Sequence, residues 1–142
     1  MSTRLMCTFA LADGLYAIPV DDVQEVIRNQ ELTPVPLAHT AVVGLINLRG
    51  QIVTAIDLRR RMNLSPRPDD AAAPMNVVVR TADGPKAILV DDIGDVIEVT
   101  DDTFEPPPDT LTDALRGVVL GVYKLRDQLL LALDTEQAVR VA

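Results

Sequence analysis

Residues 12–27 read ADGLYAIPVDDVQEVI, and residues 82–97 read ADGPKAILVDDIGDVI. Superposed at an offset of 70 they agree at ten of sixteen positions with no gap, and Val23/Ile93 and Glu25/Asp95 add conservative matches. A second pair keeps the same order: residues 44–58, GLINLRGQIVTAIDL, match residues 121–135, GVYKLRDQLLLALDT, at six of fifteen positions and an offset of 77. Two matched pairs in one order mean two related halves of about 70 residues each within a single unit. The approximate halves are 1–68 and 75–142, joined by SPRPDDAAAP at 65–74, a composition that suits a connector.

Each half reads as β structure. Asp13-Gly14 and Asp83-Gly84 are hairpin signals, because glycine accepts the positive φ that tight turns need. They separate expected strands at 5–11 and 15–20 in the first half, and at 75–81 and 85–90 in the second. Residues 51–56 and 128–133 are short aliphatic runs of the kind found in buried strands. Arg49-Gly50 and Arg126-Asp127 stand where turns would feed them. Helical signals are confined to 57–62 and 135–139, with Asp57 and Asp134 as N-caps. Ten prolines, three of them consecutive at 106–108, disfavour long helices. The reading is a mainly all-β chain of two packed five-stranded SH3-like β-barrels with short helices, strand exchange between the barrels being left open.

Composition narrows the function classes. Of 142 residues, 48% are apolar and 24% charged, which supports a packed core. The aromatic residues are only Phe9, Tyr16, Phe104 and Tyr123, so the core is aliphatic and offers no platform for stacked bases. A net charge of −8, with thirteen acidic side chains in 72–142, argues against nucleic acid or an anionic membrane as partner. Cys7 is the single cysteine and reads as a small buried residue, so no intrachain disulfide is possible. His39 is the single histidine, which with one cysteine nearly excludes a zinc site built from His and Cys. No segment approaches a membrane span, and the N-terminal MSTRLMCTFALADG lacks a cleavage pattern. The expectation is a cytoplasmic protein with no metal and no cofactor.

The most distinctive stretch is GLINLRGQIVTAIDLR at 44–59. It resembles the CheW family of bacterial chemotaxis adaptors, whose "G-x-x-N-L-R-G-x-I-V…D-L-R" run is met by Gly44, Asn47, Leu48, Arg49, Gly50, Ile52, Val53, Asp57, Leu58 and Arg59. YAIPV at 16–20 followed by VQEVI at 23–27 is similar to the family's first signature, and Val35-Pro36 to its step before the motif. Residues 90–99, 106–108 and 129–134 resemble its second-half signatures, so the likeness covers about 5–138. Thr54 stands where many members have proline, and Val43 where a basic residue is common.

The resemblance implies a non-catalytic coupling protein built of two small β-barrels. Such proteins bridge transmembrane chemoreceptors to the regulatory domain of a CheA-type histidine kinase, which has the same fold. They hold the receptor's cytoplasmic tip in a groove between the barrels and join kinase regulatory domains into rings with other CheW-like proteins. Carried onto this chain, the receptor surface is Val23, Glu25, Asn47, Arg49 and Gly50. Kinase contacts fall on Ile52, Val53, Arg59, Leu129 and Leu131.

Each assignment has a plainer counterpart. Asn47 and Arg49 offer donors to a partner, or Asn47 holds its own turn and Arg49 pairs with a nearby acid. Gly50 serves the turn's backbone. Val23, Glu25 and Ile27 share one strand face, either as a docking patch or as a half-buried strand. Arg59, Arg60 and Arg61 form a basic rim or a solvated helical face. Asp91, Asp92 and Asp95 lack the ligand spacing of a cation loop. An acid-based hydrolase or ligand-binding barrel has no matched second group, and a coupling protein of a non-flagellar pathway reads identically.

Overall fold

The computed structural model describes residues 2–28, 30–36 and 38–141. The first repeat forms β1 (Thr3–Leu11), β2 (Gly14–Pro19), β3 (Val23–Ile27), β4 (Val42–Leu48), β5 (Gln51–Asp57) and the short helix α1 (Leu58–Arg61). The second forms β6 (Met75–Val79), β7 (Lys86–Val90), β8 (Asp92–Thr100), β9 (Phe104–Glu105), α2 (Asp113–Arg116), β10 (Val119–Lys124), β11 (Leu129–Leu133) and α3 (Thr135–Ala138).

These strands make two sheets, SH3-like in layout. One runs β8-β1-β2-β11-β10-β9 and the other β3-β6-β7-β5-β4. Without the two-residue β9 the orders correspond strand for strand through the repeat. The hairpin β1–β2 occupies in the first sheet the place that β6–β7 occupies in the second. Each sheet therefore takes a hairpin from one repeat and three strands from the other. The joints are the parallel pairs β2–β11, with Tyr16 opposite Leu131, and β5–β7, with Ile56 opposite Ile88. The connector at 65–74 runs between β5 and β6, which belong to one sheet. It separates the repeats without separating the sheets.

Three apolar clusters follow from this. Ile46, Leu48, Val53, Ala55, Val78, Ala87 and Leu89 fill the five-stranded sheet. Met6, Ala17, Val99, Tyr123, Leu130 and Ala132 fill the six-stranded one. The largest cluster, around Phe9, Tyr16, Ile18, Ile56, Leu58, Val77, Ile88 and Leu133, takes side chains from both. Phe9 and Tyr16 lie opposite each other on β1 and β2, their ring centroids 6.4 Å apart. Cys7 is buried on β1, and burial pushes its thiol pKa up. Among the described residues no helix is long and apolar enough to cross a membrane.

The turn chemistry departs from expectation in one hairpin. The left-handed residue between β1 and β2 is Ala12, with φ 51°, whereas Gly14 has no positive φ. Gly14 is small for another reason: a Cβ there would stand 2.7 Å from the Tyr16 ring. Helix α2 had no expected counterpart, although Thr112 caps it by accepting the Leu115 N–H. The caps Asp57 and Asp134 accept from Arg59 N and Gln137 N.

Candidate functional site

The turn between β4 and β5 has two central residues, both left-handed: Arg49 at φ 51° and Gly50 at φ 87°. That geometry suits the twist of a tight hairpin. Asn47 stabilises it, its Oδ1 accepting the Gly50 N–H at 2.9 Å. A side chain at position 50 would meet no atom within 4 Å, so any cost there is backbone strain alone. Gly50→Ala is expected to destabilise by about 1–2 kcal/mol, read from urea unfolding.

Arg49 stands on this turn with 68% of its side chain exposed, and its guanidinium pairs with Glu25 on β3. The hydrogen bond from Arg49 holds the Glu25 carboxyl below its ordinary range. The same bond raises the Arg49 pKa. Val23 and Ile27 flank Glu25 on one face of β3, both half-buried, while Gln24 and Val26 are exposed. The strand and the turn therefore meet at the Glu25–Arg49 pair, and Asn47 serves the turn itself.

The second group of candidates splits. Ile52 is 62% exposed and Leu129 is 51% exposed. They are counterparts at the offset of 77, so the two repeats present one exposed aliphatic residue at the same place in each sheet. Val53 is 1% exposed and belongs to the interior of the five-stranded sheet. Leu131 is half-buried against the shared cluster. Leu120 is likewise on the surface.

Arg59 is not part of a solvated rim. Its side chain is 8% exposed and grips Asp91, Nε to Oδ1 at 2.9 Å and Nη2 to Oδ2 at 2.5 Å. Its Nη1 donates to Ser65 O at 2.8 Å. Arg67 Nη2 and Ala12 N complete the carboxylate's shell at 2.9 and 2.8 Å. Burial pushes the Asp91 carboxyl up, but the hydrogen bonds from Arg59, Ala12 N–H and Arg67 outweigh it and leave the pKa below the ordinary value. Arg61 Nη2 donates to Gln137 O, so of the three arginines only Arg60 is exposed. Spacing along the chain gave no sign of this cluster, since Arg59 and Asp91 lie in different repeats.

His39 Nδ1 accepts the Ala41 N–H at 3.0 Å. No group of three His, Cys, Asp or Glu among the described residues is arranged to hold a metal. An open cavity of about 410 Å³ is lined mainly by apolar side chains, including Met6, Pro19, Phe104, Leu120 and Tyr123.

A model of the CheW-like domain family matches residues 5–142. The chain belongs to the CheW family. CheW relatives support this over most of their length. The chemotaxis protein CheW of Treponema pallidum (strain Nichols) is 30% identical over 132 residues, covering 91% of this chain and 78% of the relative. That of Bacillus subtilis (strain 168) is 30% identical over 129 residues, covering 91% and 82%. The crystal structure of the scaffolding protein TtCheW from Thermoanaerobacter tengcongensis superposes with a TM-score of 0.87 at 26% identity, covering 99% of this chain and 94% of that one.

Proposed function

We propose that this chain is a non-catalytic chemotaxis scaffold that couples the cytoplasmic tip of a chemoreceptor to the regulatory domain of a CheA-type histidine kinase. The observation that carries the reading is the Arg49–Glu25 pair, set on an exposed turn and an edge strand of a CheW-family chain. An exposed guanidinium beside a carboxylate gives a partner helix both a donor and an acceptor, with the apolar edges of Val23 and Ile27 alongside.

The kinase surfaces are Ile52 and Leu129. Their repetition on two sheets of matching order gives the chain two similar ends, which suits a link in a ring of like-folded domains, kinase regulatory domains and other CheW-like proteins alike. Many linked contacts of this kind gain avidity even where each is weak. Val53 and Leu131 support those strands from inside. Recruitment from the cytoplasm to a membrane-associated array would follow from the receptor contact alone.

Titration calorimetry of the purified chain with a CheA-type regulatory domain, with and without a receptor cytoplasmic fragment, tests the assignment. Arg49→Glu is expected to abolish receptor binding while leaving kinase-domain binding and the melting temperature unchanged. Normal receptor binding by that variant removes the turn from the site. No binding of either partner to the wild-type chain overturns the adaptor reading.

A further inference from the structure

In each repeat the segment before the last hairpin folds back onto that hairpin's first strand. Leu45 on β4 and Val122 on β10 are counterparts at the offset of 77. Leu45 pairs with Thr33, and Val122 pairs with Glu105. The residues one step earlier, Leu32 and Phe104, lie over the aligned glycines Gly44 and Gly121. A Cβ on Gly44 would stand 3.2 Å from Leu32 Cβ, and one on Gly121 would stand 2.2 Å from the Phe104 ring. Each sheet thus carries one large apolar side chain laid across the same strand.

The two places are finished differently. In the five-stranded sheet Leu32 and Val43 pack against the interior cluster, to which the buried Leu89 belongs. Their counterparts in the six-stranded sheet are Phe104, Leu120 and Pro19. Phe104 is 40% exposed and Leu120 51% exposed. These three residues line the cavity of about 410 Å³. Phe104 leans on Tyr123, ring centroids 4.9 Å apart, and on the bare backbone of Gly121, so its ring forms a wall of the opening. One repeat closes this place with its own side chains, and the other leaves it open.

The opening continues on both sides. It shares Pro19, Leu120 and Leu133 with a cavity of about 200 Å³ that reaches Arg80. It shares Arg4 and Pro19 with one of about 310 Å³ that reaches the exposed Leu5. Three adjoining cavities make a groove, the shape of an extended segment rather than of one compact molecule. Its rim is acidic: Asp21, Asp22, Asp101, Asp134 and Glu136 stand along it against Arg4 and Arg80. Arg80 is already engaged, its Nη1 donating to Asp21 O at 3.1 Å and Val23 O at 2.7 Å. Among the described residues Asp21 and Asp101 belong to no ion pair. A rim of this sign attracts cations and repels anions.

We propose that this groove docks an extended segment of a partner protein, in which a bulky apolar side chain seated against Phe104 and Leu120 is flanked by lysine or arginine. The apolar side chain fills the place that Leu32, Val43 and Leu89 fill in the other repeat, and the flanking cations meet the acidic rim. The groove shares no residue with the surfaces assigned above to receptor and kinase, so it stands independently of those assignments.

An NMR titration of the isotope-labelled chain with the blocked pentapeptide Lys-Ala-Phe-Ala-Lys tests this. Amide shifts are expected to concentrate at Phe104, Leu120 and Tyr123. Binding is expected to be about tenfold tighter than that of Glu-Ala-Phe-Ala-Glu or Lys-Ala-Ala-Ala-Lys, and to weaken as salt is raised. Leu120→Ser removes an exposed wall and Asp101→Asn removes one rim charge. Each is expected to weaken binding without moving the melting temperature, because both side chains are exposed. No shift at millimolar peptide, equal binding of the three peptides, shifts centred elsewhere, or full binding by both variants overturns the proposal. Free phenylalanine bound as tightly as the peptide overturns it in favour of a small-molecule site. Concentration-dependent shifts at the same amides without peptide overturn it in favour of a second copy of this chain.

Discussion

Arg59→Ala is expected to destabilise the fold by about 3 kcal/mol, because among the described residues it leaves the partly buried Asp91 carboxylate with Arg67 as its one charged partner. Ser65 O also loses its donor. For a chain of this size that loss lowers the melting temperature by about 10 °C. The same cluster has a pH signature. The Asp91 pKa lies below 3.8 in the folded chain, so the cluster's contribution is present above the unfolded Asp value and is lost as pH falls through the folded one. Asp91→Asn removes that carboxyl, and its stability is expected to fall less steeply below pH 3.8 than the wild type's. Equal acid sensitivity in the two proteins would show that the cluster contributes no linkage. A melting-temperature change within about 2 °C for Arg59→Ala would show that Arg67 alone suffices.

Phe9→Ala is expected to cost about 3–5 kcal/mol. Phe9 is fully buried, faces Tyr16, and belongs to the cluster that both sheets share. Its removal opens a cavity at the junction of the sheets, so they are expected to lose stability together, in one cooperative transition at a lower urea midpoint. Two separated transitions in calorimetry would show that each sheet is stabilised chiefly by its own cluster. Ile88, opposite Ile56 at the second parallel joint, offers a check on the five-stranded side.

What could be read from the sequence was local. The hairpin signals placed β1–β2 and β6–β7 because turn residues and aliphatic runs sit within a few positions of each other. The caps Asp57 and Asp134 were legible for the same reason. The Arg49-Gly50 turn was legible too, and so was the plainer role of Asn47, since a side chain three positions from Gly50 can reach its N–H. The pairings β2–β11 and β5–β7 were beyond reach, because a parallel joint between distant strands leaves no mark in either strand's composition. Arg59 illustrates the same gap. Within its own segment it opens an arginine run, and only the return of the chain at Asp91 makes it an interior residue. Ile52 and Val53 are neighbours of near-identical character, and strand alternation sends one out and the other in.

The parallel joint between β2 and β11 has a consequence for how the protein is made. On the edge of β2 that faces away from β1, Leu15, Tyr16 and Ala17 pair with Leu130, Leu131 and Ala132. During synthesis the N-terminal hairpin must leave the ribosome long before those residues exist, and it waits with one edge and much of its apolar face uncovered. The five-stranded sheet can close once β7 has emerged, so the nascent chain is half built and sticky at the other end until its last strand is released. Slow, late closure of this kind exposes a growing chain to aggregation and to chaperone capture.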